Sequence, residues 1–425
     1  MYTYAAWIHK HGKRMDAALR TFLIQRYQKL RRVPCFLHNL TNRVINELSR
    51  TRVLIKMSHT STASLQWAEE WMSETSRPTM KHFHSIGVFA ARLSLSQLQS
   101  ILEMPSVEKV YLDRKVYALL DTAVPSVGAP QVWSGGNEGE GVTIAVVDTG
   151  IHPHPDLTQP TNRIIAFKDF VKGKTDPYDD NGHGTHCAGC AAGNGYRSDG
   201  KYRGSAPKAR LVGVKVLDKM GSGSLSSVIE GIQWCIDHRD KYGIRVISLS
   251  LGSTSQLSYK DDPVCQAVEA AWNHGITVVV AAGNEGPEPR TIASPGIHPR
   301  VITVGASDDH STVDNRDNTI AQFSSRGPTI DGIVKPDLVA PGTQITSLRV
   351  KRSYLDKTAP DSQVDGDYTS LSGTSMATPI VAGIAALLLT SDPTLTPDQV
   401  KQRLLENAQD LKFPENEQGR GQVSA

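Results

Sequence analysis

Gly373, Thr374, Ser375, Met376, Ala377, Thr378 and Pro379 lead directly into the apolar run Ile380 to Leu389. Small residues before such a run predict a long helix. Pro379 fits only near its start, because deeper inside it would remove a hydrogen bond and clash with the preceding turn. Ser375 therefore stands at the mouth of a helix, where unpaired backbone N–H groups and the positive end of the dipole stabilise negative charge. Taken alone, such a serine reads as a helix cap. Two further side chains change that reading. Asp148 ends the apolar stretch Ile144 to Val147 and precedes Thr149 and Gly150, so its carboxylate sits at the carboxyl end of a strand. By itself it serves equally as a metal ligand or a structural cap. His183 lies in the segment Asn181 to Gly189, NGHGTHCAG, whose small residues permit close backbone approach. A carboxylate, an imidazole and a hydroxyl in that chain order can supply an orienting group, a general base and a nucleophile. A rival grouping is a zinc site from His183, His186, Cys187 and Cys190. On one helix, positions 183 and 190 lie about 10 Å apart along the axis, too far for all four to reach one ion at about 2.0–2.3 Å.

These side chains need a scaffold, and the hydrophobic pattern supplies one. Strands are predicted at Val142 to Val147, Ala209 to Leu217, Ile244 to Leu251, Ile276 to Ala281 and Val301 to Val304, rich in Val and Ile as buried parallel strands are. Helices are predicted from Leu225 to His238 and from Pro263 to His274. The alternation implies an α/β fold with a doubly wound, mostly parallel sheet, in which ligands bind beyond the carboxyl ends of the strands. Asp148, Ser250 and Asn284 all fall at such ends. Upstream the pattern differs. Strands at Val53 to Met57, His84 to Leu93 and Val107 to Leu119, with helices at Ser64 to Glu74 and around Leu98 to Leu102, read as a small α+β domain. Leu119 to Gly128, with Pro125, reads as a linker, and an amphipathic helix is expected from Asp16 to Leu30. The division is thus an extension at 1–50, an α+β domain at 51–120 and the larger α/β domain at 121–425.

A formal net charge of +3 over 425 residues is too mild to argue for nucleic acid or membrane partners, although residues 9 to 32 are locally basic. The sequence carries no apolar stretch near 20 residues, so no membrane span is expected. Lys10, Lys13 and Arg14 interrupt the N-terminus, and no apolar h-region leads to a cleavage site, so cytoplasmic residence is expected, with unconventional export as the alternative. Five scattered cysteines fit reduced thiols better than a disulfide framework.

Asp148, Thr149 and Gly150, then NGHGTHCAG at 181–189, AAGN at 281–284 and GTSMATP at 373–379, resemble the four signature blocks of the subtilisin-like serine proteases, or subtilases. The absence of a signal peptide resembles the AprX-like branch of bacilli. The resemblance implies a serine endopeptidase in which Ser375 attacks the peptide carbonyl, His183 takes and returns the proton, and Asp148 fixes the imidazole tautomer. Asn284 would donate to the oxyanion. Ser250, Leu251 and Gly252, with Gly221, Ser222 and Gly223, resemble the two edges between which a peptide adds as a strand. Ala281, Ala282 and Gly283 would line the S1 pocket, with Ala293 at its base and Leu225 facing S4. These segments carry no Asp or Glu, so broad cleavage after apolar or aromatic residues is expected rather than cleavage after Arg or Lys. Met376 resembles the family's oxidation-sensitive methionine, and Cys187 resembles the thiol of a mercurial-sensitive branch. No cofactor is expected for the chemistry. Structural calcium is implied by the family, with Asp156 as a candidate ligand and Asp176, Asp179 and Asp180 as nearby oxygen donors. The domain at 51–120 resembles an inhibitory propeptide, which implies a self-inhibited zymogen cut near Leu120 and Asp121; a monomer acting on protein or peptide substrates is expected. The charged insertion at 350–367 reads as a surface loop. A catalytically silent peptide-binding module is the alternative from another class.

Overall fold

Val- and Ile-rich runs bounded by glycine and polar residues become strands because branched side chains pack well on a pleated, buried surface. The structure, a computed structural model, describes residues 2–15, 19–20, 22–24, 50–57, 81–83, 88–112, 120–254 and 257–425. The chain divides into two units, Met1–Val116 and Tyr117–Ala425.

In the first unit, β1 (Thr51–Met57), β2 (Lys81–Phe83), β3 (Val88–Leu93) and β4 (Val107–Leu112) form an antiparallel sheet in the order β2-β3-β1-β4. Along β1, alternation buries Val53, Ile55 and Met57 on one face. A helix at Leu95–Glu103, closed by a capping box between Ser94 and Gln97, packs Leu98, Ile101 and Leu102 into the same core. Part of the 1–50 extension, among its described residues, packs on this sheet. Ile8, Met15, Leu19 and Leu23 are buried in this core, and Arg14 Nη1 donates to the Met104 carbonyl at 2.9 Å. The helix expected at Ser64 to Glu74 lies outside the described residues, as does most of the one expected from Asp16 to Leu30.

The second unit is built on an eight-stranded sheet. Its strands are β5 (Thr143–Asp148), β6 (Ile164–Asp169), β7 (Arg210–Lys215), β8 (Ile244–Leu249), β9 (Thr277–Ala281), β10 (Ile302–Asp308), β11 (Thr319–Ile320) and β12 (Leu338–Pro341). The order is β11-β10-β9-β8-β5-β7-β6, with β12 on β10. All these pairings are parallel except β10 with β11. The chain leaves β5 towards β7 and β6 and then returns to β8 on its other side, so β5 stands at the topological switch point and Asp148 at its open end. β5 is fully buried, which explains its unbroken apolar run.

Thr374–Ser391 is an 18-residue helix whose apolarity would suit a membrane span, but 78% of it is buried inside this unit, as a core helix should be. The predicted linker is a helix at Leu120–Ser126, with Ala123, Val124 and the following Val127 buried. The 350–367 insertion is also more ordered than a plain surface loop. A helix at Tyr354–Thr358, capped by Ser353, sits between β13 (Ile345–Leu348) and β14 (Gln363–Val364), which join β15 (Tyr368–Leu371) in a three-stranded antiparallel sheet.

Candidate active site

Asp148 is fully buried, and its Oδ1 accepts from the Thr149 N–H at 2.7 Å and from His183 Nδ1 at 2.8 Å. His183 is the first residue of the Tyr-free, small-residue helix His183–Ala192, whose preceding Gly182 has φ +106°. Burial disfavours the imidazolium, but the adjacent Asp148 carboxylate outweighs it, and the ring's pKa is held well above the usual histidine value. Because Nδ1 is engaged with Asp148, Nε2 is the ring nitrogen left for chemistry.

A single carboxylate holds these two elements in register. Asp179 Oδ1 accepts from Thr149 Oγ1 at 2.9 Å, Asn181 N at 3.1 Å and Gly182 N at 2.8 Å. Its Oδ2 accepts from Thr185 N at 2.9 Å and Thr185 Oγ1 at 2.7 Å. Thr149 Oγ1 in turn accepts from Gly184 N at 2.9 Å. The residue after Asp148 is thereby tied to residues on both sides of His183. Gly150 is required for this closeness, since its φ is +117° and a Cβ there would lie 2.2 Å from the Tyr178 carbonyl oxygen. Lys215, also fully buried, donates to Asp180 Oδ1 and to the Leu217 carbonyl at 2.9 and 2.8 Å.

Ser375 lies in the first turn of the core helix, where its backbone N–H has no intrahelical acceptor. Its hydroxyl donates to the Ser250 carbonyl at 3.2 Å, and Ser250 Oγ donates to the Ser375 carbonyl at 2.9 Å. Cys187 joins the two halves of the site: its Sγ is 3.8 Å from His183 Nδ1 and donates to the Ser375 carbonyl at 3.3 Å. Asn284 is exposed, and its Oδ1 accepts from Thr374 N at 2.9 Å and Thr374 Oγ1 at 3.0 Å. This fixes the amide, and its Nδ2 lies 3.4 Å from the position a Cβ on Gly373 would take, beside the start of the serine's helix. Met376 is buried beside the nucleophile.

The zinc grouping is split. His186 Nε2 donates to the Ile345 and Thr369 carbonyls at 3.0 and 3.1 Å, and burial pushes its pKa down to about 3, while Cys190 Sγ lies 3.7 Å from His186 Nδ1. His183 and Cys187 face the other way. Among the described residues, the ligand atoms of Asp148, His183 and Cys187 lie within 4.8 Å of one another, yet the His183 Nδ1 and Asp148 Oδ1 atoms are bonded to each other at 2.8 Å and Cys187 Sγ donates to the Ser375 carbonyl.

Of the expected calcium ligands, Asp156, Asp179 and Asp180 are already engaged with protein donors. Asp156 is fully buried, but its Oδ2 accepts from the Tyr368 hydroxyl at 2.7 Å and its Oδ1 from Arg197 N at 2.9 Å, and the Arg163 guanidinium donates to its carbonyl. Asp179 is committed as described, and Asp180 pairs with Lys172 and Lys215. A carboxylate whose oxygens already accept from protein donors lacks the open oxygen shell that calcium takes.

A groove of about 510 Å³ runs past His183. Gly221, Ser222, Gly223 and Leu225 line one side, Ser250, Leu251 and Gly252 another. Ala281, Ala282, Gly283 and Ala293 do not line it. The Ala293 methyl stands about where they would open, 3.0 Å from the position a Cβ on Gly252 would take and 3.1 Å from that on Gly283. Leu217, Met220, Tyr354 and Leu355 line the groove as well and were not singled out from the sequence. Nothing in local sequence marks them, whereas Asp179, four residues before His183, was legible only as a generic oxygen donor.

Residues 139–422 match the model of the subtilase family, and residues 46–119 match that of the peptidase inhibitor I9 family. The chain is 47% identical to serine protease AprX of Bacillus subtilis (strain 168), over 100% of this chain and 98% of that protein. It is 36% identical to subtilisin E of the same organism, over 78% of each. Among solved structures, S41 psychrophilic protease aligns with a TM-score of 0.58 and 32% identity, covering 70% of this chain and 97% of that one. Sphericase aligns with a TM-score of 0.55 and 32% identity, over 68% and 92%.

Proposed function

We propose, from the premise that this chain belongs to the subtilase family of serine proteases and carries an I9 inhibitor domain, that it cuts peptide bonds through an acyl-enzyme on Ser375. The observation that carries the reading is the 2.8 Å bond from His183 Nδ1 to buried Asp148, with Cys187 Sγ reaching both the His183 ring and the carbonyl of Ser375 at the helix mouth. The Ser375 hydroxyl gives its proton to His183 Nε2 as Oγ bonds to the substrate carbonyl carbon. Asp148 stays ionised and stabilises the imidazolium that forms. The tetrahedral oxyanion accepts from Asn284 Nδ2 and from the Ser375 backbone N–H. Collapse breaks the C–N bond, and the imidazolium returns its proton to the leaving amine. Water then repeats the sequence in reverse order and frees the acid product.

The uncharged lining of the groove supports cleavage after apolar or aromatic residues, and the small residues of its two edges suit a peptide held as an added strand. The I9 domain acts as an intramolecular inhibitor, and self-cleavage near Leu120 and Asp121 releases the mature enzyme. The end of the I9 match at residue 119 and the change of unit after Val116 support that position. The test is labelling of matured protein with a fluorophosphonate, together with mass spectrometry of its N-terminus. Labelling that is lost in Ser375→Ala, with a new N-terminus near residue 121, is expected. Failure of the wild-type protein to label would leave the silent peptide-binding module.

A further inference from the structure

We infer that the segment after β13 sets part of the substrate specificity: Tyr354 and Leu355 wall the groove beside His183 and select a bulky apolar side chain at the second residue from the scissile bond on the acyl side. This rests on the acyl-enzyme reading above.

The segment is fixed where it touches the site. The Tyr354 and Leu355 N–H groups, in the open first turn of their short helix, donate at 3.0 Å to the carbonyls of Asp180 and Asn181, the loop that runs into His183. Ser353 is buried and caps the helix through Asp356 N at 3.2 Å. Its Oγ lies against Gly182, where a Cβ would meet it at 2.8 Å. Asp356 locks the segment from behind, accepting from Arg349 Nε at 2.6 Å, Arg352 N at 2.7 Å and Gln363 Nε2 at 2.9 Å. Such a wall keeps its shape when substrate arrives, so its packing can discriminate between side chains rather than yield to them.

The chemistry of the wall is apolar. Leu355 Cβ lies 3.7 Å from the position a Cβ on Gly182 would take, next to the catalytic histidine. Leu217 and Met220 line the same groove, and Met220 is 59% exposed, a large apolar side chain left without cover. Asn181 Nδ2 donates to the Lys219 carbonyl at 2.9 Å and so joins the Met220 edge to the loop that carries Leu355. Among the described residues, no Asp, Glu, Lys or Arg lines the groove.

Strand geometry decides which substrate residue reaches this wall. In an extended peptide, successive side chains point to opposite faces. If the residue whose carbonyl is attacked directs its side chain towards the 250–252 edge, the residue before it points the other way, over His183 and into Leu217, Tyr354 and Leu355. A flexible apolar side chain there is removed from water on binding, whereas a lysine would leave its ammonium without a partner.

The test uses matured enzyme and chromogenic amides of the form Ala-Ala-X-Phe, with X as Leu, Phe, Gly or Lys. The ratio of kcat/KM for Leu or Phe over Gly at X is expected to be about tenfold and to fall to about twofold in a Tyr354→Ala, Leu355→Ala double variant. Leu355→Glu is expected to turn the preference towards Lys. An unchanged ratio in the double variant, or a retained preference for Leu in Leu355→Glu, overturns the inference. Failure of the wild-type enzyme to react with a fluorophosphonate overturns the acyl-enzyme reading instead, and the two failures are thereby told apart.

Discussion

Replacing Asp179 with asparagine is expected to injure both stability and turnover, because one buried carboxylate holds five donors from three places in the catalytic unit. Asparagine keeps one acceptor oxygen. With that oxygen facing Thr149, Asn181 and Gly182, its NH2 group points at the Thr185 N–H, and two donors then meet. The Thr185 hydroxyl can rotate to accept, but the backbone N–H has no remaining partner. A buried unsatisfied N–H costs about 1–3 kcal/mol, and the remaining bonds lose charge assistance, so the total is roughly 3–5 kcal/mol. That is a large fraction of the roughly 5–15 kcal/mol that holds a folded domain together. A melt in a Ser375→Ala background, which suppresses autolysis, is expected to shift down by about 5–10 °C. The second readout is the fluorophosphonate labelling rate of Asp179→Asn in the otherwise native enzyme. Loss of the Thr185 bonds, with the Thr149 to Gly182 link left without its charge, loosens the histidine helix against the Asp148 loop, and a displacement near 1 Å costs on the order of 10²-fold in rate. A variant that melts within about 1 °C of its parent and labels within twofold would refute the argument that Asp179 sets the dyad's geometry.

Asn284→Ala should lower kcat by about 10²–10³-fold with little change in KM, since the amide is needed only as the oxyanion forms; steady-state kinetics on a chromogenic peptide checks it. His183 should titrate above the usual histidine value in a Ser375→Ala protein followed by NMR, and lower after a further Asp148→Asn change, because burial is then opposed only by the contact with Cys187. The sign for stability follows: the raised pKa makes the pair stabilising below the unfolded value near 6.5, and that contribution is lost as pH rises through the folded value. Asp156→Asn should lower the melting temperature equally with and without a calcium chelator, since Tyr368 and Arg197 are the partners it loses; a calcium-dependent difference would contradict this assignment.

The candidate catalytic residues were legible because each is announced locally. Asp148 follows a fully buried strand, His183 sits among glycines that let two backbones touch, and Ser375 precedes an apolar run with a proline near its start. The parallel sheet was legible for the same reason, except at the four-residue β12 and at β6. That strand lies at the sheet edge with a mixed burial pattern, and an edge strand has no continuous apolar signature. The helix at Leu120–Ser126 was hidden by its small side chains and Pro125, although Ala123 and Val124 are buried. A calcium role for Asp156 was not legible from the sequence. A carboxylate in the right place reads alike whether it faces an ion or the Tyr368 hydroxyl, and Tyr368 is 212 residues away.

The groove wall was illegible for a deeper reason, and it bears on how specificity and catalysis are joined. Tyr354 and Leu355 are held by backbone bonds to the Asp180 and Asn181 carbonyls, and a main-chain carbonyl leaves no trace in the residue type that carries it. Those two carbonyls belong to the same short loop whose neighbouring Asp179 side chain binds Thr149, Gly182 and Thr185. The loop thus faces the catalytic dyad with a carboxylate and the substrate wall with two carbonyls. A change in the insertion that strains this loop would reach His183 through Gly182, whereas a change confined to the Tyr354 and Leu355 side chains would not. Truncating those side chains while keeping their N–H groups therefore separates substrate choice from turnover, and deleting the whole insertion would confound the two.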